Sequence, residues 1–344
     1  MLRQLQRLTR AVPHAGTHAS ALAVYASADG TFIRARESGE EGVACIDDAA
    51  RALGLMCDLW HATQLPWVRL WAESLLEFVL WMQQPNGDFP NFLHDWNGRR
   101  NVEGRTSLPG GAFWQARGLR GVARAWLVLG DSRAADSCLR ALERVRTVRA
   151  APDVRAIHVT VALDLVRAGR VPSLRDDLVR WCLEVASARR GDVLSDSDSD
   201  TVHLWGHSQE AVLADAGAFL DRGDLVEIAR RSAEAVFVPV IASSFDLPQV
   251  QPYGVACAVR AMDALAAATG DVRYRGLATD ARAWFDGRNS AHRPVYDRAT
   301  GAVADGIDDG RVSLNSGAES NVLGAQALFA EVVRSARGFT WRLP

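Results

Sequence analysis

The sequence predicts an all-α protein: an (α/α)6 toroid, or barrel, of six helical hairpins in which inner and outer helices alternate. Three observations predict it. Long stretches carry apolar residues at spacings of three and four, the mark of a one-sided helix. Between them lie stretches that are apolar or small nearly all round, the mark of a helix buried on most sides. The joints reuse one dipeptide, Gly130-Asp131, Gly223-Asp224 and Gly270-Asp271, in which glycine suits the left-handed residue ending one helix and aspartate caps the next. A unit of a few tens of residues recurring this way is an internal repeat.

A basic, amphipathic segment near 2–11 supplies one outer helix. The first inner helix is expected near 42–60 and its partner near 65–84, where Val68, Trp71, Leu75, Phe78, Val79 and Met82 keep helical spacing. Inner helices follow near 111–129, 153–168, 206–222, 251–269 and 316–335, and outer helices near 132–148, 172–188, 224–240 and 271–286. Gly169 with Pro172-Ser173 forms the third joint, and Asp224 with Glu227 reads as an aspartate version of the capping box. Joints within hairpins are short. The connections 85–110, 189–205, 241–250 and 287–315 are long and all lead to the amino-terminal ends of inner helices, which places function at one end of the scaffold. The expectation is a single domain over 1–344 with its core at about 40–336.

Composition narrows the function. The chain has 344 residues, is 48% hydrophobic and 23% charged, and carries a net charge of -2. Such a balance argues against a nucleic-acid or anionic-membrane partner. Every basic side chain is arginine, which excludes Schiff-base chemistry and a P-loop lysine. The five cysteines, Cys45, Cys57, Cys138, Cys182 and Cys257, are dispersed in apolar stretches. They read as buried free thiols of a cytoplasmic protein, and no secretory signal or membrane span is apparent.

The candidate site residues cluster where inner helices begin. Asp47 and Asp48 stand in Glu41–Arg51, a segment that opens the first inner helix. They point about 100° apart, so one can line a pocket while the other pairs with Arg51. Glu319 stands in the first turns of a small-residue helix, in Asn315-Ser316-Gly317-Ala318-Glu319-Ser320-Asn321. Its alternative is a capping box with Ser316. Glu210 joins Trp205, His207 and Gln209 within two turns, a mix suited to stacking on a sugar ring and holding its hydroxyls. Trp114, Arg117, Tyr253 and Asn315 complete the expected binding set. The segment 85–96 reads as an aromatic rim. Asp196-Ser197-Asp198-Ser199-Asp200 fails the EF-hand pattern, because Thr201 and His207 occupy its sixth and twelfth positions, and reads as a solvated acidic loop. No metal and no cofactor are expected.

These motifs, in their order, resemble the six-hairpin glycosidase-like domains of bacteria and archaea, some of them fused to glycosyltransferases. The D-D-x-A-R-A-L element is Asp47 through Leu53, and the D/G-x-F-x-N-F element is Gly87 through Phe92. Trp284-Phe285, Tyr296-Asp297 with Thr300-Gly301, Asp305-Gly306 and Asn315 through Ser320 follow. The likeness spans about residues 40–330. It implies a carbohydrate-active barrel, mostly inverting in its chemistry. Relatives carry an acidic cluster before the inner helix that begins here near 111, where this chain has Ser107-Leu108-Pro109-Gly110-Gly111.

The functional expectation is a glycoside hydrolase acting on an oligosaccharide or glycoconjugate. Asp47 or Asp48 stands on one side of the scissile bond and Glu319 or Glu210 on the other. The alternatives are a sugar epimerase or isomerase with His207 as base, and a non-catalytic glycan-binding module, which the missing acidic cluster favours.

Overall fold

The computed structural model describes residues 1–27, 30–36, 41–196 and 203–341. Helices dominate among them: α1 (Leu2–Leu8), α2 (Ile46–Thr63), α3 (Pro66–Met82), α4 (Ala112–Leu129), α5 (Ser132–Thr147), α6 (Pro152–Arg167), α7 (Arg175–Ser187), α8 (Gln209–Leu220), α9 (Gly223–Ala242), α10 (Pro252–Thr269), α11 (Val272–Arg282), α12 (Ala318–Ala327) and α13 (Phe329–Ala336). Strands are two or three residues long and lie in the connections. The helices belong to two compact units. One comprises Met1–Arg149, Asp297–Val303 and Leu314–Pro344, and the other Ala150–Tyr296 and Ala304–Ser313.

In the first unit, α2 packs against α3 and α4, α4 against α5, and α12 against α1 and α2. The contact of α2 with α4 is close because Gly121 carries no side chain. A Cβ there would stand 2.9 Å from the Ala50 Cβ, so Gly121→Ala forces the two helices apart at about 1–3 kcal/mol. Around that contact Leu53, Leu55, Leu119 and Val122 are fully buried, each stabilising the unit by roughly 1.5–3 kcal/mol relative to exposure. In the second unit α6 packs on α7 and α8, α8 on α9, and α10 on α8, α9 and α11. Its inner helices are buried nearly all round. Val154 through Leu163 of α6 are buried without interruption, as the absence of a polar stripe in the sequence requires.

Two of the three glycine-aspartate joints form as expected. Gly130 and Gly270 take φ of 71° and 73°, and Asp131 and Asp271 accept the backbone N–H groups of the next first turn. The third does not. Asp221, with φ of 57°, takes the left-handed position that ends α8, and Gly223 is already inside α9. Aspartate tolerates that conformation better than most side chains, so the joint moves two residues toward the amino terminus. Asp224 then pairs with Arg222, and Glu227 pairs with Arg230 and Arg231 instead of closing a capping box.

Two other boundaries differ from expectation. Thr9–Ala11 leaves α1 and pairs antiparallel with Ser20–Leu22. The last inner segment is two helices, because Leu328 takes φ of -104° and ψ of 31° between α12 and α13. Small residues buried all round give way there to a one-sided pattern with Glu331, Arg334 and Ser335 outward.

The five cysteines are buried free thiols. Among the described residues no helix is long and apolar enough to cross a membrane. The expected aromatic rim is instead a packed plug. Asp88 through Leu93 are buried, Phe89 N–H donates to Gln115 Oε1 at 2.9 Å, and Arg144 pairs with Asp88 at 3.0 Å.

Candidate functional site

The site in the first unit grows from the start of α2. Cys45 is the N-cap, and its sulfur accepts the Asp48 N–H at 3.4 Å. Asn91 holds the preceding turn, its carbonyl accepting Ile46 N–H at 2.8 Å and its side-chain oxygen accepting Asp47 N–H at 3.3 Å. Ser107, in the segment where relatives carry acids, is buried. Its hydroxyl accepts Phe92 N–H at 2.7 Å and donates to the Asn101 carbonyl at 2.7 Å. That segment therefore fastens the loop that fastens Asn91.

α12 meets α2 through its own first turn. Ala318 N–H donates to the Val24 carbonyl at 2.9 Å and Ser316 N–H to the Ala26 carbonyl at 3.1 Å. Gly317 permits this approach, because a Cβ there would stand 2.4 Å from the Val24 oxygen. The alternative, a capping box with Ser316, does not form. Gly317 is the N-cap, while the Ser316 hydroxyl donates to the Val303 carbonyl at 2.8 Å and accepts from Asn321 at 2.9 Å. Glu319 is thereby directed elsewhere, to Arg51.

Arg51 is the hub. Its Nη1 lies 3.0 Å from Asp48 Oδ1 and its Nη2 2.8 Å from Glu319 Oε1. One planar guanidinium thus holds both carboxyl groups. Beside them Arg117 Nη1 lies 2.8 Å from Asp47 Oδ2, with its guanidinium over the Phe113 ring at 4.7 Å. The cluster is graded from water to interior, the Glu319 side chain being 43% exposed and that of Asp48 5%. Asp47 Oδ1 is buried and has no hydrogen-bond donor among the described residues.

The electrostatics follow from this gradient. Burial raises the pKa of Asp48. Arg51 opposes the rise, Glu319 and Asp47 add to it, and the result is about 7. The Cys45 thiol, 3.2 Å from Asp48 Oδ2, is itself pushed up by burial and by Asp48, so it stays protonated and serves as the donor. Asp48 is therefore a carboxyl group that changes charge near neutral pH, next to a carboxyl group in contact with water.

The remaining expected site residues fall into two sets. Trp114 is half-buried in the first turn of α4 and donates its indole N–H to the Leu108 carbonyl at 2.8 Å, and Asn315 is exposed before α12. The others belong to the second unit. Trp205 is 41% exposed and stacks on His203 at 4.0 Å, and Tyr253 is half-buried in the first turn of α10.

His207, Gln209 and Glu210 are completely buried, which departs from the expectation that they face a sugar. His207 Nδ1 lies 2.5 Å from Asp196 Oδ1 and its Nε2 2.8 Å from Glu210 Oε1. Two carboxylate partners require both ring nitrogens to carry protons. Burial would lower the His207 pKa, but Glu210 and Asp196 outweigh it and raise it to about 10. Ser232 donates to Glu210 Oε1 at 2.5 Å, and Gln209 Nε2 donates to Asp196 Oδ1 at 2.9 Å. Asp196 is thus part of a dry network and not of a solvated acidic loop. Residues 197–202, with Asp198 and Asp200 among them, lie outside the described residues.

The sequence pairs Arg51 with one of the two aspartates, as the Arg51–Asp48 contact bears out, but gives no sign of its second bond to Glu319. Sequence reasoning also missed Cys45 as cap and donor, and Asn91 as the brace of α2, for which the N-F element, a polar residue between two buried phenylalanines, was a signal.

No family model matches the chain, and no curated protein matches it. Solved structures do. A cellobiose 2-epimerase from Spirochaeta thermophila is 11% identical with a TM-score of 0.71, covering 98% of this chain and 94% of that one. A sugar epimerase from a ruminal bacterium is 12% identical with a TM-score of 0.70, covering 98% and 100%. A family 76 glycoside hydrolase from a bovine Bacteroides thetaiotaomicron strain is 8% identical with a TM-score of 0.65, covering 91% and 73%. At such identities the likeness establishes the fold alone, the all-α (α/α)6 barrel.

Proposed function

We propose that the protein is a carbohydrate-active enzyme, and that the Asp47, Asp48 and Glu319 cluster hydrolyses a glycosidic bond. The observation that carries this is the pair bridged by Arg51, a buried carboxyl group with a pKa of about 7 beside a carboxyl group open to water. Hydrolysis with inversion needs one group to protonate the departing oxygen and another to take a proton from water, their carboxyls about 6.5–9.5 Å apart. Asp48 suits the acid, since a pKa raised to about 7 keeps a share of it protonated at neutral pH. Glu319 suits the base, since water reaches it. Asp47 Oδ1, lacking a donor, is an acceptor for a sugar hydroxyl, and Trp114 and Asn315 are proposed to bind further along the substrate. The partner is therefore a saccharide.

A second reading, epimerisation or isomerisation of a sugar, is favoured by the match of two epimerases over nearly the whole of both chains. His207 is poorly placed to be its base, with both ring nitrogens held by carboxylates and no exposed surface. In that reading Asp48 moves the proton on and off carbon.

The test incubates the full chain with a panel of oligosaccharides in D2O, beside Asp48→Asn and Glu319→Gln. Released reducing ends that vanish in both variants support hydrolysis. A new epimer carrying deuterium, without cleavage, overturns hydrolysis in favour of epimerisation. Sugar-dependent thermal stabilisation without any product overturns both and leaves a binding module.

A further inference from the structure

We infer that the second unit binds a divalent first-row metal ion between Asp153, Asp196 and His203. A carboxylate oxygen of each aspartate and a ring nitrogen of the histidine lie within 4.8 Å of one another. Three atoms so disposed have a common point within about 2.8 Å of each, and small side-chain rotations bring this to the roughly 2.0–2.2 Å of zinc bonds to nitrogen and oxygen.

Burial separates this cluster from an ordinary acidic patch. Asp153 is fully buried in the first turn of α6, where one of its oxygens accepts Val154 N–H at 2.8 Å, and the Asp196 side chain has no exposed surface. Placing two carboxyl groups side by side away from water is costly unless cations or donors face them.

Gln209 Oε1 and Glu210 Oε2 are buried acceptors with no partner among the described residues, and Gln209 is in direct contact with Asp196. A buried group with surplus acceptor oxygens calls for a positive centre. The supporting shell of a metal site is present as well. Asp196 Oδ1 is held by His207 and Gln209, its Oδ2 accepts His203 N–H at 3.0 Å, and the His203 ring is fixed by a 2.8 Å contact of Nδ1 with the Trp205 carbonyl and by stacking on Trp205. Such outer contacts orient metal ligands.

Two carboxylates and one imidazole suit zinc, cobalt or manganese better than calcium, which takes six to eight oxygens. Three protein ligands leave at least one position for water. The ion would tie the start of α6 to the segment that leads into α8, so its first consequence is stability of the second unit.

The test strips the full chain with EDTA, adds Zn2+ or Co2+, removes the excess by gel filtration, and reads metal content, the cobalt absorption spectrum and the melting midpoint. The expected result is about one zinc per chain, a rise in midpoint, and cobalt bands of a low-coordinate site. His203→Ala and Asp153→Asn should both lose the bound metal. The His203 ring is partly exposed, so His203→Ala should melt like the stripped wild type, and it decides the matter if Asp153→Asn does not fold. A wild type that retains no metal, or a His203→Ala variant that retains as much as the wild type, overturns the inference.

Discussion

Asp48→Asn should stabilise the protein most at pH 8 and by less than half as much at pH 5. The Asp48 pKa lies at about 7 in the folded chain against an ordinary 3.8. Between those values the unfolded state has released the proton and the folded state still holds it. Folded stability therefore falls as pH rises through this window and is fully reduced above about 7. At about 1.4 kcal/mol for each pH unit, the window amounts to on the order of 4 kcal/mol. Asparagine has the shape of the protonated acid and does not ionise, so the variant escapes the loss. Urea unfolding of both proteins at pH 5, 6, 7 and 8 measures the difference directly. The variant's advantage should grow with pH and level off near pH 8. A difference that stays flat, or that favours the wild type more strongly as pH rises, would show Asp48 ionised throughout. It would then be an ordinary ion pair with Arg51, and its part as an acid would be lost.

Other perturbations probe the elements around it. Cys45→Ala removes the N-cap of α2 and should lower stability by about 1 kcal/mol, whereas Cys45→Ser keeps a cap and a donor to Asp48; denaturant midpoints compare the three. Gly317→Ala sets a methyl group against the Val24 carbonyl, 2.4 Å away, and should cost about 1–3 kcal/mol. By displacing Glu319 it should also reduce turnover on any sugar the wild type processes, and equal turnover would detach α12 from the site. His207→Gln leaves Asp196 and Glu210 facing each other with no cation between, and should destabilise the fold by about 3–5 kcal/mol as read by chemical denaturation.

How much of this was legible in the sequence depended on how local the cause was. The joints at Gly130-Asp131 and Gly270-Asp271 could be read because a left-handed glycine and a capping aspartate act within four residues. The joint near Gly223 misled because Asp221 serves as well two positions earlier, and propensity alone does not rank them. The break at Leu328 carries neither glycine nor proline, so only the change from all-round to one-sided burial marks it. Asp47, Asp48 and Glu319 stood out as carboxylates in helix first turns, but the pairing of Glu319 with Arg51 is tertiary and spans most of the chain. Ser316 and Glu319 have the spacing of a capping box. What decides against one is Gln4, Val303 and Asn321, which surround Ser316, and no local pattern contains them. Asp196 illustrates the same limit, since a run of alternating serine and aspartate gives no hint that its first residue is held dry by a histidine eleven positions on.

The two polar clusters differ in a way that bears on which of them works on substrate. In the second unit the carboxylate partners of His207 are buried, and among the described residues of that cluster only the edge near His203 and Trp205 meets water. A histidinium between two carboxylates resists changing its protonation, which suits a structural element and not a base that must cycle near neutral pH. In the first unit the arrangement is the opposite. Two arginines face three carboxyl groups, one of which is buried and near its titration point while another meets solvent. Keeping an ionisable Asp48 there lowers stability above neutral pH, and an asparagine of the same shape would not. Carrying such a side chain where folding does not require it is the usual mark of a group kept for chemistry. Arg51 makes the arrangement coherent. By binding Asp48 and Glu319 with different nitrogens it couples them, so a proton gained by one relieves its repulsion of the other and leaves Arg51 holding that other charge more firmly. A pair coupled in that way keeps one carboxyl protonated while its neighbour stays charged, the split between acid and base that inverting hydrolysis needs.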